Sequence, residues 1–356
     1  MDYKIREIQI DEYQKAADLH QKYYQNKRPL AVWKWEYNSY NPEKSVMIVI
    51  DSKGQIVGTQ GMIPIYLNIN GKCILTGKSE STLIDEEFRG KGLFVEYYNY
   101  AISQCEKKNM NCLWGFTRVG NTLKKVDYKV YEDVMKWAIL PYNSKSIKKA
   151  AKSKSLIYSA LINAGVIYSQ FRLNLKLIRT AKNKKHYEIK STMKSNDDII
   201  RFYNRLRKKH KHLIHINQDI KYINWRIKNH PLYKTRTYYV YKGRILLGYL
   251  YLTIRNEQIE ITDLMYLNDD VGNTLIKLLF NRIPEKCIII YSGNIKNALN
   301  IKVIKLLKTY GFIVMKRPND FILRNIKYTN EAMLYDIKNW YITDMWSEGV
   351  NINETE

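Results

Sequence analysis

Phe88-Arg89-Gly90-Lys91-Gly92-Leu93-Phe94 is the stretch on which the reading of this 356-residue chain turns. It follows the strand-like Thr82-Leu83-Ile84 and opens a helical period that runs from Phe94 to Lys107. A turn of this kind gathers several backbone N–H groups at one point, and its glycines let the chain approach a ligand closely. The partial positive charge at the start of the helix near Leu93 adds to the full charges of Arg89 and Lys91. Such a point attracts phosphate, and a pyrophosphate fits the cradle.

Outward from the loop, the first 140 residues give a regular order. Tyr3 to Ile8 alternates as a strand, and Asp11 caps a helix from Glu12 to Tyr24. Trp33-Lys34-Trp35-Glu36-Tyr37 is a short aromatic helix, closed by Asn41-Pro42. Val46 to Ile50 and Ile56 to Pro64 are strands joined at Ser52-Lys53-Gly54. Asn70-Gly71 suits a hairpin turn between Ile65–Ile69 and Cys73–Ile84. A strand at Cys112–Phe116, a helix at Asn121–Val126 and a long strand from Tyr128 to Ile139 complete the unit. The order describes an α/β protein with a mixed, mostly antiparallel sheet rather than a doubly wound parallel one.

The second half echoes the first. Trp225-Arg226 with Asn229-His230-Pro231 answers Trp35-Glu36 with Asn41-Pro42, and Gly243 to Leu252, with Gly248, answers Gly54 to Met62, with Gly58. Ile259–Leu267, Cys287–Tyr291 and Leu307–Phe312 follow in matching order, which points to two domains of one fold. The expected division is residues 1–142, a basic helical linker at 143–190, a second domain at 191–328 and a helical, polar tail at 329–356. In the second domain the loop is replaced by Asn268-Asp269-Asp270-Val271-Gly272-Asn273, with acids where phosphate needs positive charge.

The net charge of +25 biases the chain toward anionic partners. Between Asn143 and Lys190 twelve Lys and Arg face one acid, Glu188. The helix expected over Ser155–Ile178 has apolar positions at Leu156, Ile157, Leu161, Ile167, Phe171 and Leu175, read as core or inter-domain packing, with a membrane-surface helix as the sharper alternative. No stretch has the length of a membrane span, and Met1-Asp2-Tyr3-Lys4-Ile5-Arg6 lacks an apolar leader, so a soluble, cytoplasmic protein is expected. Cys73, Cys105, Cys112 and Cys287 show neither metal nor disulfide spacing, and His210, His212 and His215 lack carboxylate or cysteine partners. No metal is expected.

Arg89-Gly90-Lys91-Gly92-Leu93-Phe94, in its strand-loop-helix setting, resembles the R-x-x-G-x-G/A signature of the GNAT acyltransferase superfamily, with Phe94 where the signature ends in a small residue. The resemblance covers roughly Tyr3 to Ile139. It implies acetyl-CoA or another acyl-CoA as co-substrate, held at Leu83, Ile84, Arg89, Gly90, Lys91, Gly92, Leu93, Phe94 and Asn121. It also implies direct acyl transfer to an amine, without a covalent enzyme intermediate. Glu80 is the candidate base, nine residues before Arg89. The family's usual acid is a Tyr, but Leu123 stands in its place, leaving water, Tyr128, Tyr131, another tyrosine or a transfer without a dedicated acid. The second copy, without the loop, is expected to build the acceptor cleft, with Trp33, Trp35 and Tyr37 as lining candidates.

The leading reading is N-acylation of an anionic small molecule such as an amino-sugar nucleotide or polysaccharide precursor. Two others stand beside it. A peptidoglycan-type transferase would use aminoacyl-tRNA, which suits the charge. A non-enzymatic adaptor would use the basic linker on membrane or nucleic acid. Oligomeric state is left open.

Overall fold

The computed structural model describes residues 2–24, 28–142, 156–181, 187–255, 258–281 and 287–347. Two mixed sheets carry the chain. The first has the order β1 (Lys4–Glu7), β2 (Val46–Ser52), β3 (Gln55–Ile69), β4 (Lys72–Ile84), β5 (Cys112–Thr117), β15 (Asp320–Asn325), β6 (Lys129–Tyr131), with β9 (Ile214–Ile216) on the far part of β3. The second has the order β14 (Ile313–Lys316), β7 (Met135–Tyr142), β13 (Cys287–Asn294), β12 (Gln258–Tyr266), β11 (Ile245–Arg255), β10 (Lys234–Lys242), β8 (Glu188–Lys190).

The order of elements follows the sequence reading closely. Helices α1 (Tyr13–Tyr23) and α2 (Leu30–Asn38) precede the β2–β3–β4 meander, and Asn70-Gly71 turns the β3–β4 hairpin with both residues at positive φ. Helix α3 (Leu93–Lys107) returns the chain so that β5 runs parallel to β4, and α4 (Gly120–Lys124) follows. The second half repeats this with helix α6 (Asp198–Arg207) before β10–β11–β12, helix α7 (Asp269–Phe280), a β13 parallel to β12, and helix α8 (Ala298–Thr309). Gly58 faces Ile84 across β3–β4, and Gly248 faces Tyr266 across β11–β12, so the matched glycines occupy matching ladder positions.

Two expectations change. The long strand from Tyr128 to Ile139 is broken near Asp133, which lies at φ 59°, and its halves enter different sheets. β7 leaves the first half to pair with β13 and β14, while β15 leaves the second half to pair with β5 and β6. The boundaries drawn at 142 and 328 therefore cut through both sheets. The exchange is stabilised by burial at both ends: Phe321 and Leu323 lie in the core of the first sheet, Ala138 and Leu140 in that of the second.

The second change concerns the linker. Helix α5 (Leu156–Ala181) lies against the second sheet through Leu173 and through Ser169, whose hydroxyl donates to the Gly311 carbonyl. Ile167 and Phe171, expected to face inward, point to solvent. The rest of the basic linker, 143–155 and 182–186, lies outside the described residues.

Candidate active site

β4 and β5 pair only over Gly77–Ser79 and Leu113–Gly115, and beyond that point they diverge. The cause is a β-bulge: Thr59 faces Leu83 and Gly61 faces Glu80, so Gln60 alone opposes Ser81 and Thr82. Ser81 sits at φ 57°, a left-handed conformation that a serine holds only when its surroundings enforce it. Three bonds do so. Its hydroxyl accepts from Arg28 Nη1 at 2.8 Å and from Tyr37 OH at 2.9 Å, and its carbonyl accepts from Thr59 Oγ1 at 2.7 Å. Arg28 is in turn ion-paired to buried Glu36. Gly61 is required here, because a Cβ would lie 1.9 Å from the Tyr37 hydroxyl.

The divergence opens a cavity of about 300 Å³. Glu80, Ser81 and Thr82 form one wall, His20 and Tyr24 from the end of α1 another, and Phe116, Arg118, Leu123 and Asn319 the side beyond the gap. The Glu80 carboxylate is partly exposed and paired with the buried Lys78 ammonium. Tyr24 is half-buried, and burial, then the nearby Glu80 charge, push its phenol above the usual range, so it keeps its proton at neutral pH. His20 is pushed down to about 3 by burial and by Arg28, and is neutral. Its Nε2 lies 2.9 Å from Thr59 Oγ1, whose proton goes to the Ser81 carbonyl, so the histidine is the donor.

The loop lies farther along the open edge of β4. A single turn at Glu86–Phe88 precedes it, Gly90 and Gly92 lie at φ 77° and 78°, and α3 begins at Leu93. No atom lies within 4 Å of where a Cβ would stand on either glycine, so left-handed backbone rather than crowding demands them, and the space above is open. Arg89 turns back, its Nε donating to the Ile84 carbonyl at 2.8 Å and its guanidinium lying over the Tyr23 ring. Lys91 Nζ donates to the Glu87 carbonyl at 2.6 Å. The Ile84 carbonyl faces the gap, and the ladder alternation places the backbone groups of Leu83 toward β3. Leu93 is buried, Phe94 rests against Tyr97 and Tyr98, and Asn121 is exposed, accepting from Lys124 Nζ.

The aromatic candidates are elsewhere. Trp33, Trp35 and Tyr37 are buried and do not line the cavity. Trp33 packs edge-on to His20, Tyr37 anchors Ser81, and Trp35 stacks on Trp225 between the two halves. Tyr128 and Tyr131 are buried and also outside the cavity wall. Among the cavity residues that the sequence did not single out are His20, Tyr24, Arg118 and Asn319. For the first two a signal existed, since they stand four apart on the amphipathic helix α1 and their rings stack at 5.8 Å.

The second sheet repeats the divergence but fills it. β12 and β13 pair over Gln258–Ile261 and Ile288–Tyr291, and a bulge at Thr262 follows. Buried Asp263 accepts from Tyr341 OH at 2.6 Å, Gln218 Nε2 at 2.7 Å and Tyr249 OH at 2.9 Å. Tyr341 belongs to a segment, residues 337–347, held along β13 and α8. Asn294 donates to the Trp340 carbonyl, Asn297 to that of Lys338 and Asn300 to that of Ile342. Among the described residues no group of three His, Cys, Asp or Glu side chains could hold a metal ion.

With this geometry in hand, residues 4–131 match the acetyltransferase (GNAT) domain family. No curated protein matches the chain in sequence. Among solved structures, a probable N-acyltransferase of Enterococcus faecalis V583 is similar at TM-score 0.61 and 11% identity, over 92% of this chain and 73% of that one. A GCN5-related N-acetyltransferase from Anabaena variabilis gives 0.58 at 11%, over 91% and 73%. Saccharomyces cerevisiae N-myristoyltransferase with bound myristoyl-CoA gives 0.57 at 11%, over 92% and 83%. At such identities the likeness is one of fold.

Proposed function

We propose that this chain, whose residues 4–131 match the acetyltransferase (GNAT) domain family, is a GNAT-type N-acyltransferase that transfers an acetyl group from acetyl-CoA to an amine of an anionic small molecule in the cavity beside Glu80. The observation that carries this reading is the open edge of β4. It leads from the glycine loop to Glu80, a span of about 13 Å at roughly 3.3 Å per residue from Ile84. An extended pantetheine arm can run along such an edge with its diphosphate at the backbone of Gly90 to Leu93 and its thioester at the cavity. Arg89 and Lys91, whose side chains fold back onto carbonyls, supply charge to the cradle rather than a preformed clamp.

The acceptor ammonium gives a proton to Glu80, directly or through a water, and the freed amine attacks the thioester carbonyl. The C–N bond forms, the C–S bond breaks, the departing thiolate takes a proton from a donor at the cavity wall, and the proton lost from the new amide nitrogen restores that donor. Leu123 lines the cavity and has no proton to give, while Tyr24 lines it and keeps its proton. Tyr24 is therefore the acid in this scheme. Lys78 beside Glu80 favours the carboxylate, the state a base needs. Arg118 at the cavity rim and the positive charge of the chain favour an anionic acceptor, such as a phosphorylated amino sugar.

A thiol-release assay with acetyl-CoA and a panel of amines tests the reading, alongside calorimetry of acetyl-CoA. Binding near one equivalent per chain, with turnover of at least one anionic amine, is expected. Absence of acetyl-CoA binding combined with steep, salt-dependent binding of aminoacyl-tRNA would replace it with the tRNA-dependent transferase.

A further inference from the structure

We propose that the outward face of helix α5, together with the edge strand β14, docks on a lipid surface with anionic headgroups. The helix carries three different faces. At about 100° per residue, Ile167, Phe171 and Ile178 fall within roughly 40° of one another. These three side chains are 67%, 62% and 70% exposed, and Tyr168 at the margin of the stripe is 59% exposed. Arg172 and Arg179 follow on one flank, while Lys176 lies on the packing side with its ammonium over the Tyr310 ring. Ser169 and Leu173, on the opposite side, make the contact with the second sheet.

The patch extends beyond the helix. Ile313 and Met315, alternate residues on β14, are exposed, and Ile313 lies against α5 at Gly165. A soluble helix ordinarily turns such a stripe inward. Here the inward positions are filled by Ser169, Leu173 and the partly buried Leu177, and Ile167, Phe171 and Ile178 are left outside.

Charge selects the occupant. The stretch Asn143–Lys190 holds twelve basic residues and one acid, with lysines clustered before and after the helix in the sequence. Pairing this face with a second copy would bring two such stretches together against strong repulsion. An anionic bilayer accepts both components: apolar side chains enter the headgroup boundary while Lys and Arg meet lipid phosphates. Neither the cavity nor the glycine loop contributes a residue to this face, so the inference stands apart from the acyl-transfer reading.

The full chain is mixed at moderate salt with vesicles of phosphatidylcholine alone and of phosphatidylcholine with phosphatidylglycerol, and floated on a density gradient. Flotation with the anionic vesicles only is expected, falling at least tenfold in Phe171→Glu/Ile178→Glu and retained in Phe171→Leu. Both altered positions are exposed, and an unchanged melting temperature verifies the fold. No flotation with anionic vesicles overturns the proposal, as does flotation that the double variant leaves intact. Sedimentation showing a lipid-free dimer that the double variant dissociates also overturns it, because a second copy would then cover the face.

Discussion

Two gaps of similar origin lie in the two sheets, and among the described residues the chain itself fills one of them. In the first, a bulge at Ser81 turns β4 away from β5, and the space between them is lined by Glu80, Tyr24 and His20. In the second, a bulge at Thr262 turns β12 from β13, and residues 337–347 lie across the opening with Tyr341 bonded to Asp263. The connections differ accordingly. Eight residues, 85–92, join β4 to α3 through the glycine loop, whereas two, 267 and 268, join β12 to α7, where the Asn268 side chain caps the helix by accepting from Val271 N. The same ladder geometry thus leaves a cavity in one half and takes the chain's own tail in the other.

The largest expected effect breaks this difference at the loop. Gly92→Glu places a side chain on a residue at φ 78° and a negative charge where the diphosphate is proposed to sit. Calorimetry should show acetyl-CoA affinity reduced by about a hundredfold or more, roughly 3 kcal/mol. The counterpart, Asp269→Lys/Asp270→Lys, supplies positive charge to the second connection. It should create no second binding event, because the tail occupies the gap. A stoichiometry rising above one per chain would show that charge alone had silenced the second half.

At the cavity, Glu80→Gln should lower kcat by about a hundredfold with little change in acetyl-CoA affinity, since it removes the base and not the cradle. Tyr24→Phe should cost less, about tenfold, because water can protonate a thiolate. Steady-state kinetics extended down to about pH 4, where a Glu80 carboxylate begins to take a proton, separates the two: the fall of kcat at the acid end should vanish in the Glu80 variant only. A limb that persists would assign the base to another group.

What was legible in advance follows the range of the physics involved. Asn70-Gly71, the paired glycines Gly58 and Gly248, and the loop at Arg89 are local signals, and each holds its expected position. The exchange of β7 and β15 is not local. Met135–Tyr142 and Asp320–Asn325 are apolar runs that either sheet could bury, and nothing within them says which ladder they join. The bulge at Ser81 was equally hidden, because its left-handed φ is imposed by Arg28, Tyr37 and Thr59 from elsewhere in the chain. For Trp33, Trp35 and Tyr37 the aromatic pattern was visible, but its use in the core rather than at the cleft depended on packing. The same holds for α5, where periodicity reveals a stripe and not the direction it faces.

Each gap also has a buried histidine beside it, and both contribute to a pH-dependent stability. His20 lies in the cavity wall, and His215 stacks on Tyr203, which bonds Tyr249 and thereby joins the Asp263 network. Burial pushes both down to about 3. The unfolded chain binds a proton at each near pH 6.5 while the folded one does not, so stability is full above 6.5 and falls as pH drops toward 3. At pH 5 each should cost about 2 kcal/mol relative to pH 7 or above. Urea unfolding at both values should show the loss, and His20→Gln or His215→Gln should each remove about half of the histidine-dependent part. A variant whose pH dependence matched the parent would show that its histidine is already protonated when folded.

The smallest effect tests how alike the halves are where they meet. Trp35 and Trp225 stack with centroids 4.6 Å apart, and each indole Nε1 donates to the other residue's carbonyl, at 3.1 and 3.0 Å. The reciprocal bonds make the pair nearly symmetric about the junction, although the Trp35 carbonyl also accepts from the Ser39 hydroxyl. Trp35→Phe and Trp225→Phe each keep an aromatic ring but remove one buried hydrogen bond, at about 1 kcal/mol. If the symmetry holds energetically, the two urea midpoints shift by equal amounts, and the double variant departs from additivity by about 0.5 kcal/mol or more because the rings are in contact. Unequal shifts would mean that the surroundings, His230 and the Ser39 hydroxyl at Trp35 and Tyr40 and Tyr222 at Trp225, decide the stability of the junction.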